Sequence, residues 1–201
     1  MHSSFRFLQV VSMMSLCAIA LATQAPALAA DRGFYLGADV VTLQTTLDYG
    51  FIENYSTTHA RLKVGYQISK YLSVEGRVMS SDYDTDIDVI GGEYRFDTGT
   101  MAGIYIRPHS NAARKANVYG IFGITSMNTK YRLVQPLTGP TDTENVIAVT
   151  IGVGGSFRIV GNLTFDIEAA LYAGTADYAT YFADSIDLTS VGLSAGLRYR
   201  F

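Results

Sequence analysis

Apolar and polar residues alternate with period two along most of the chain beyond residue 33. That is the pattern of strands with one apolar face. The first such run, about 34–43, sets Phe34, Leu36, Ala38 and Val40 against Tyr35, Gly37 and Asp39. The second, about 58–68, sets Ala60, Leu62, Val64, Tyr66 and Ile68 against Arg61, Lys63, Gly65 and Gln67. The third, about 71–80, sets Leu72, Val74, Gly76 and Val78 against Ser73, Glu75, Arg77 and Met79. In the fourth, about 98–107, Ala102, Ile104 and Ile106 oppose Gly103, Tyr105 and Arg107. The fifth, about 117–127, is apolar or small on both faces, so its sides stay unassigned. The sixth, about 145–158, sets Ile147, Val149, Ile151, Val153 and Phe157 against Ala148, Thr150, Gly152, Gly154 and Ser156. The seventh opposes Leu163, Phe165, Ile167, Ala169 and Leu171 to Thr164, Asp166, Glu168 and Tyr172. The eighth opposes Val191, Leu193, Ala195, Leu197, Tyr199 and Phe201 to Ser190, Gly192, Ser194, Gly196, Arg198 and Arg200. Eight strands of about ten residues are predicted, the length a tilted strand needs to cross a bilayer.

The connections alternate in length. Short ones fall at Ser69-Lys70, at Pro108 to Ala116 and at Val160-Gly161-Asn162. The other four, near 44–57, 81–97, 128–144 and 173–185, are read as long loops. Short turns at one end and long loops at the other are the up-and-down pattern of outer-membrane barrels. A soluble lipocalin-like barrel would turn the apolar face inward instead. Two features of the faces favour apolar-outward: the polar face is rich in Gly, Ala and Ser, which suits a narrow interior, and the apolar face carries no charge and ends in aromatics. An all-β, antiparallel, up-and-down transmembrane barrel is therefore expected.

Residues 1–29 are set aside as a cleaved signal peptide, leaving 30–201 as the barrel domain. One Arg (Arg6) precedes an apolar stretch from Phe7 to Ala22, and Ala27-Leu28-Ala29 supplies an A-x-A exit. Cys17 is the only cysteine and leaves with this segment, so no disulfide or thiolate is expected. The mature chain loses one cation and no acid, moving the formal charge from −3 to −4. That mild acidity argues against nucleic acid as a partner. No stretch beyond Ala30 has eighteen consecutive apolar residues, which leaves strands as the way to span a membrane.

The last eight residues, Ser194-Ala195-Gly196-Leu197-Arg198-Tyr199-Arg200-Phe201, resemble the terminal strand signal read by the barrel-assembly machinery. The matching positions are Ser194, Gly196, Tyr199 and Phe201. Phe34-Tyr35-Leu36-Gly37-Ala38 and the stretch Gly65 to Glu75 resemble the first strand and second hairpin of the OmpA/OmpX-like small barrels, the "porin family". The resemblance implies the bacterial outer membrane as compartment. The partners it implies are outer-membrane lipid, lipopolysaccharide, the assembly machinery and periplasmic chaperones. It implies no activity, because that superfamily hosts many.

Seven inward charges, Arg61, Lys63, Glu75, Arg77, Asp166, Glu168 and Arg198, are the first candidates for chemistry. An eight-stranded barrel is just wide enough for its side chains to fill it, and unpaired buried charge is costly. They are expected to form an interior ion-pair plug, with Arg61 and Lys63 facing Glu75 and Arg77, rather than an acid–base centre. His109-Ser110-Asn111 is similar to the His-x-Ser-Asn motif of barrel lipid A deacylases, but its spacer is missing and it lies on a short turn. His59 stands alone near a strand mouth, so no metal site is expected. Asp82 to Glu93 places acids at EF-hand-like spacing, with Ile87 where the sharp turn needs Gly. A solvated strand edge is the simpler reading. Asp177 to Phe182 concentrates aromatics that suit loop packing or a partner. With no cofactor and no nucleophile–base pair in view, a non-enzymatic surface barrel is expected, one that maintains the envelope or binds a ligand or host surface through its loops. The alternatives are a small diffusion pore and, more weakly, a lipid-modifying enzyme.

Overall fold

The computed structural model describes residues 32–48, 52–80, 85–89, 92–135, 141–176 and 186–201. The expected signal segment 1–29, the acids Asp82 and Asp84, and the aromatics at 178–182 lie outside them. Nine strands form: β1 (Gly33–Asp48), β2 (Ile52–Ser69), β3 (Leu72–Ser80), β4 (Thr85–Val89), β5 (Gly92–Pro108), β6 (Ala116–Gln135), β7 (Thr141–Val160), β8 (Leu163–Ala176) and β9 (Ile186–Arg200). Every pairing is antiparallel. β3 pairs with one half of β5, Leu72↔Pro108 to Met79↔Met101. β4 pairs with the other half, Thr85↔Phe96 to Val89↔Gly92. β3 and β4 therefore share one place in the ring. β9 returns to β1 over Tyr35↔Arg200 to Asp48↔Asp187, which closes an eight-stranded barrel.

The short turns follow from their residues. β7 and β8 are joined by Gly161-Asn162, and Gly161 takes a φ of 51°, the left-handed conformation that a two-residue hairpin turn favours. β2 and β3 turn at Lys70-Tyr71, where the Tyr71 amide donates to Ser69 Oγ at 3.2 Å. The short turns lie at this end, which makes it the periplasmic one.

The other end differs from expectation. Three of the four stretches read as loops are paired strand instead. The β1–β2 ladder runs to Asp48↔Ile52, β4–β5 to Val89↔Gly92, and β6–β7 to Arg132↔Thr141. At about 3.3 Å per residue and a tilt near 40°, the 20-residue strands β6 and β7 rise about 50 Å, roughly twice an outer-membrane apolar band. Nothing in these stretches stops pairing: the two prolines not in the signal segment or the β5–β6 turn, Pro136 and Pro140, fall between β6 and β7. The acidic stretch is part of this extension. Asp88 pairs with Glu93 across an antiparallel hairpin, in place of a loop wrapped around a cation.

The alternation reads outward as expected. Phe34, Val64, Ile104, Val118, Ile147, Val153, Ile167 and Leu193 are among some two dozen large apolar side chains exposed on the outer wall. A continuous apolar surface of that kind marks contact with lipid. β6, unassigned from sequence, turns Val118, Phe122 and Ile124 outward and Tyr119, Ile121 and Thr125 inward. The band has a sharp upper edge. The outward position changes from Val40 to Thr42, Val78 to Ser80, Ala102 to Thr100, Ile147 to Asn145 and Val191 to Thr189. From Val191 to Phe201 this gives a height of about 25 Å, again at ~3.3 Å per residue and ~40° tilt.

The edge makes a depth-dependent prediction. Val153, 67 % exposed, lies near mid-band, and Asn145 lies at the rim. Val153→Arg is expected to destabilise the barrel in vesicles by about 2–4 kcal/mol, and Asn145→Arg by at most ~1 kcal/mol. Equilibrium denaturant titration checks both. Equal effects at the two positions would mean the band is misplaced.

Candidate functional site

The lumen is narrow, so inward side chains from all the walls meet at its centre. Asp39 on β1 receives a bidentate pair from Arg61 on β2, Nε to Oδ1 and Nη2 to Oδ2, both at 2.7 Å. Lys63 Nζ reaches the same Asp39 Oδ2 at 2.8 Å and Asp166 Oδ2 at 3.5 Å. Arg77 on β3 crosses the lumen to Glu168 on β8 with a second bidentate pair, at 2.6 and 2.8 Å. Its Nε also donates to Glu75 at 2.5 Å. Arg107 on β5 spans Glu75 at 3.4 Å and Asp166 at 3.3 Å. Arg198 on β9 donates through Nε to Asp166 at 3.0 Å. Arg61 completes the circuit to Glu168 at 3.1 Å.

All seven charges singled out from sequence therefore meet in one network. Two more members, Asp39 and Arg107, were placed on the inward face but not counted among its charges. Period two alone would have found them. The partner choice differs from expectation. Glu75 takes Arg77 from its own strand and Arg107 from β5, while Arg61 and Lys63 share Asp39. The register explains this: Arg61 lies opposite Asp39 on one side and Met79 on the other, and Lys63 lies opposite Arg77.

Among the described residues the network holds five cations and four carboxylates. Hydroxyls and rings take up the remaining capacity. Tyr35 donates to Glu75 at 2.8 Å, and Ser156 to Asp166 at 2.7 Å. Arg61 donates to Ser194 Oγ at 2.8 Å. Arg107 stacks over Tyr119 with its guanidinium carbon 3.6 Å from the ring centroid, Arg77 over Tyr105 at 4.5 Å, and Arg198 over Tyr35 at 5.0 Å. Cation–π contact stabilises most where water is excluded. These rings fit because glycine lies beneath them. A Cβ at Gly65 would meet the Tyr35 ring, and one at Gly154 the Tyr119 ring.

Toward the extracellular side the lumen changes character. Val41, Leu43, Met79, Met101, Ile121, Met127, Val146, Ala148, Ala170, Tyr172 and Leu188 form one buried apolar cluster. Sequence reasoning missed it, because these inward residues fall in stretches read as polar-faced strands or loops, or, for Ile121 and Met127, in the fifth run, whose sides stayed unassigned. His59 is fully buried at this level, bonded to Thr57 Oγ1 at 2.9 Å, rather than standing at a mouth. Among the described residues the lumen is thus filled in two layers, ion pairs below and apolar packing above.

The remaining candidates separate. Ser110, in the deacylase-like segment, is exposed and accepts from the Val118 amide at 3.2 Å. His109 is turned away from it and bonds Ser73 Oγ at 2.7 Å. Ser73 is fully buried, so this contact fastens β3 to the β5–β6 connection and is closed to substrate. Of the terminal-strand residues, Ser194 and Gly196 face the lumen. Tyr199 and Phe201 pack edge-on at 5.2 Å on the outward side, and the Phe201 amide donates to Phe34 O at 3.0 Å.

The family profile described as outer membrane protein beta-barrel domain matches residues 13–201. No curated protein matches the chain in sequence. Among solved structures it is similar to Neisserial surface protein A, at 16 % identity and TM-score 0.57, with 84 % of this chain and 97 % of that one covered. It is similar to the outer membrane protein OprG of Pseudomonas aeruginosa, at 9 % identity and TM-score 0.56, with 85 % and 97 % covered. Ail, the attachment invasion locus protein of Yersinia pestis, solved with the heparin analogue sucrose octasulfate, aligns at 16 % identity and TM-score 0.51, with 83 % and 99 % covered. Identities this low establish a shared fold.

The network predicts its own weak points. Glu75→Ala removes one of two carboxylate partners from both Arg77 and Arg107, which keep Glu168 and Asp166, and leaves the Tyr35 hydroxyl without its acceptor. It is expected to cost about 3–5 kcal/mol, the usual penalty for breaking a buried pair. Glu75→Gln keeps two hydrogen-bond sites and is expected to cost less. Urea midpoints of the refolded barrels measure both, and an unchanged midpoint for Glu75→Ala would refute the network's contribution.

Proposed function

The chain belongs to the outer membrane protein β-barrel domain family, and from that premise we propose that it is a non-enzymatic surface barrel. Its membrane part is a closed anchor, and its extracellular hairpins meet ligands of the surroundings or brace the envelope. The observation that carries this reading is the two-layer filling of the lumen. Among the described residues the centre is filled by paired charge and packed apolar side chains, which favours an anchor over a water-filled path or a substrate cleft. Rigid hairpins that rise well above the apolar band are what remains available for recognition.

Charge narrows the partner. The four stretches 44–57, 81–97, 128–144 and 173–187 hold thirteen acids and three cations. An acidic crown suits a basic protein surface, or an anionic one only through bridging divalent cations. Ail was solved with a sulfated, anionic ligand. The balance here points to the opposite sign. Ser194, Gly196, Tyr199 and Phe201 are proposed as the signal for the assembly machinery, with the outward Tyr199–Phe201 pair as the part it can reach.

Planar-bilayer recording of the refolded protein tests the closed anchor. No steady conductance is expected in concentrated potassium chloride. A stable open level would sink the seal and favour the diffusion pore. For the assembly signal, Phe201→Ser is expected to lower the heat-modifiable folded form in outer membranes several-fold, and equal amounts from both chains would remove that role.

A further inference from the structure

The periplasmic mouth of the barrel contains a second charged group, of which the lumen network uses only Arg198. A recess there is lined by Gln67, Arg114, Asn117, Arg158, Arg198 and Arg200 among others, and no Asp or Glu stands among its described lining residues. The turns at this end add Lys70 and Lys115 and also carry no acid. Beside Arg198 and Arg200, Arg114 and Arg158 bring two more guanidinium charges to this small opening, and like charges repel. Arg198 is held by Asp166 deeper in the lumen. Arg158 gives its Nη2 to the Ala112 carbonyl at 3.2 Å, a contact that fixes the group, and among the described residues no carboxylate pairs with its charge.

A second observation points to a ligand. Gln67 is 1 % exposed and its Nε2 has no hydrogen-bond partner. Its amide orientation is fixed, because Oε1 accepts from Arg200 Nη1 at 3.3 Å, and a flipped amide would turn its own donors at the guanidinium. A buried donor without an acceptor costs about 1–3 kcal/mol. It lies at the inner end of a recess walled by cations.

We propose that this mouth binds an oxoanion of the phosphate class, inorganic or as a monoester, from the periplasmic side. The recess takes about one water-sized group at its base. One anionic oxygen therefore seats against Gln67 Nε2, and the rest of the group lies among the arginines, with exposed Arg114 at the open side. Planar arginine forks match tetrahedral oxoanions with charge-assisted hydrogen bonds. The ligand compensates the repulsion and satisfies the buried donor together.

The test uses the refolded full barrel in a phosphate-free, non-ionic detergent, titrated with inorganic phosphate. Calorimetry is expected to give a saturable signal at constant ionic strength. Arg114→Gln and Arg158→Gln are each expected to weaken it about tenfold, the worth of one charge-assisted hydrogen bond. Arg114 is on an exposed turn, so its variant tests binding without risk to the fold, and heat-modifiable mobility checks this. A parallel titration with dihexanoyl phosphatidic acid separates the sources. Saturation by both probes assigns a soluble phosphate, and saturation by the lipid alone assigns a headgroup of the inner leaflet. A response matched by chloride, no saturation with either probe, or unchanged affinity in both variants overturns the site.

Discussion

Hydrocarbon offers no partner to a backbone N–H or C=O, and this one constraint organises the whole molecule. Strands can satisfy it only by pairing on both sides, so the sheet must close. Here the closing ladder is β1 with β9, paired from Tyr35↔Arg200 to Asp48↔Asp187. Closing with eight places in the ring fixes a lumen only wide enough for side chains. The inward residues then have no solvent to face, and each charge among them must find a partner across a few ångströms.

The charged layer is the direct consequence. Its bidentate pairs, Arg61–Asp39 and Arg77–Glu168, orient both partners at once, and the second joins β3 to β8 across the lumen. The layer need not be the stabilising part of the barrel. A buried pair often does no better than apolar residues of the same shape, yet removing one partner is severe. What the layer does ensure is direction. A strand slipped by one residue would turn these charges to lipid, so period two and buried charge together fix the register. The apolar layer above, from Val41 to Leu188, has no such discriminating power and works by packing alone.

The barrel is also electrically divided. Among the described residues, arginines gather at the periplasmic mouth and acids in the extracellular hairpins, with a nearly balanced network between. The same ladder that closes the sheet in the membrane continues beyond it, because no proline interrupts β1, β2, β7 or β9 above the band. Extension costs little once a hairpin is begun inside the bilayer, since each added pair prolongs an existing ladder. Among the described residues, what rises beyond the band is consequently paired strand, stiffer than a loop.

By itself the sequence determined the faces, the ring and the compartment. Alternation assigns Leu36 outward and Asp39 inward wherever the two faces differ in polarity, and it falls silent at β6, where both are apolar or small. It also marks Asp39 and Arg107 as lumen residues. Only the tertiary structure decided who meets whom. Arg77 reaching Glu168, or His109 choosing Ser73 over the neighbouring Ser110, depends on strand tilt and on the stagger with which the sheet closes. Those are properties of the whole ring and leave no trace in any one strand. The end of each strand was equally hidden: the outward residue turns polar at Thr42 and Thr58, but a hydrogen-bonded ladder responds to its backbone partner, not to the membrane's edge.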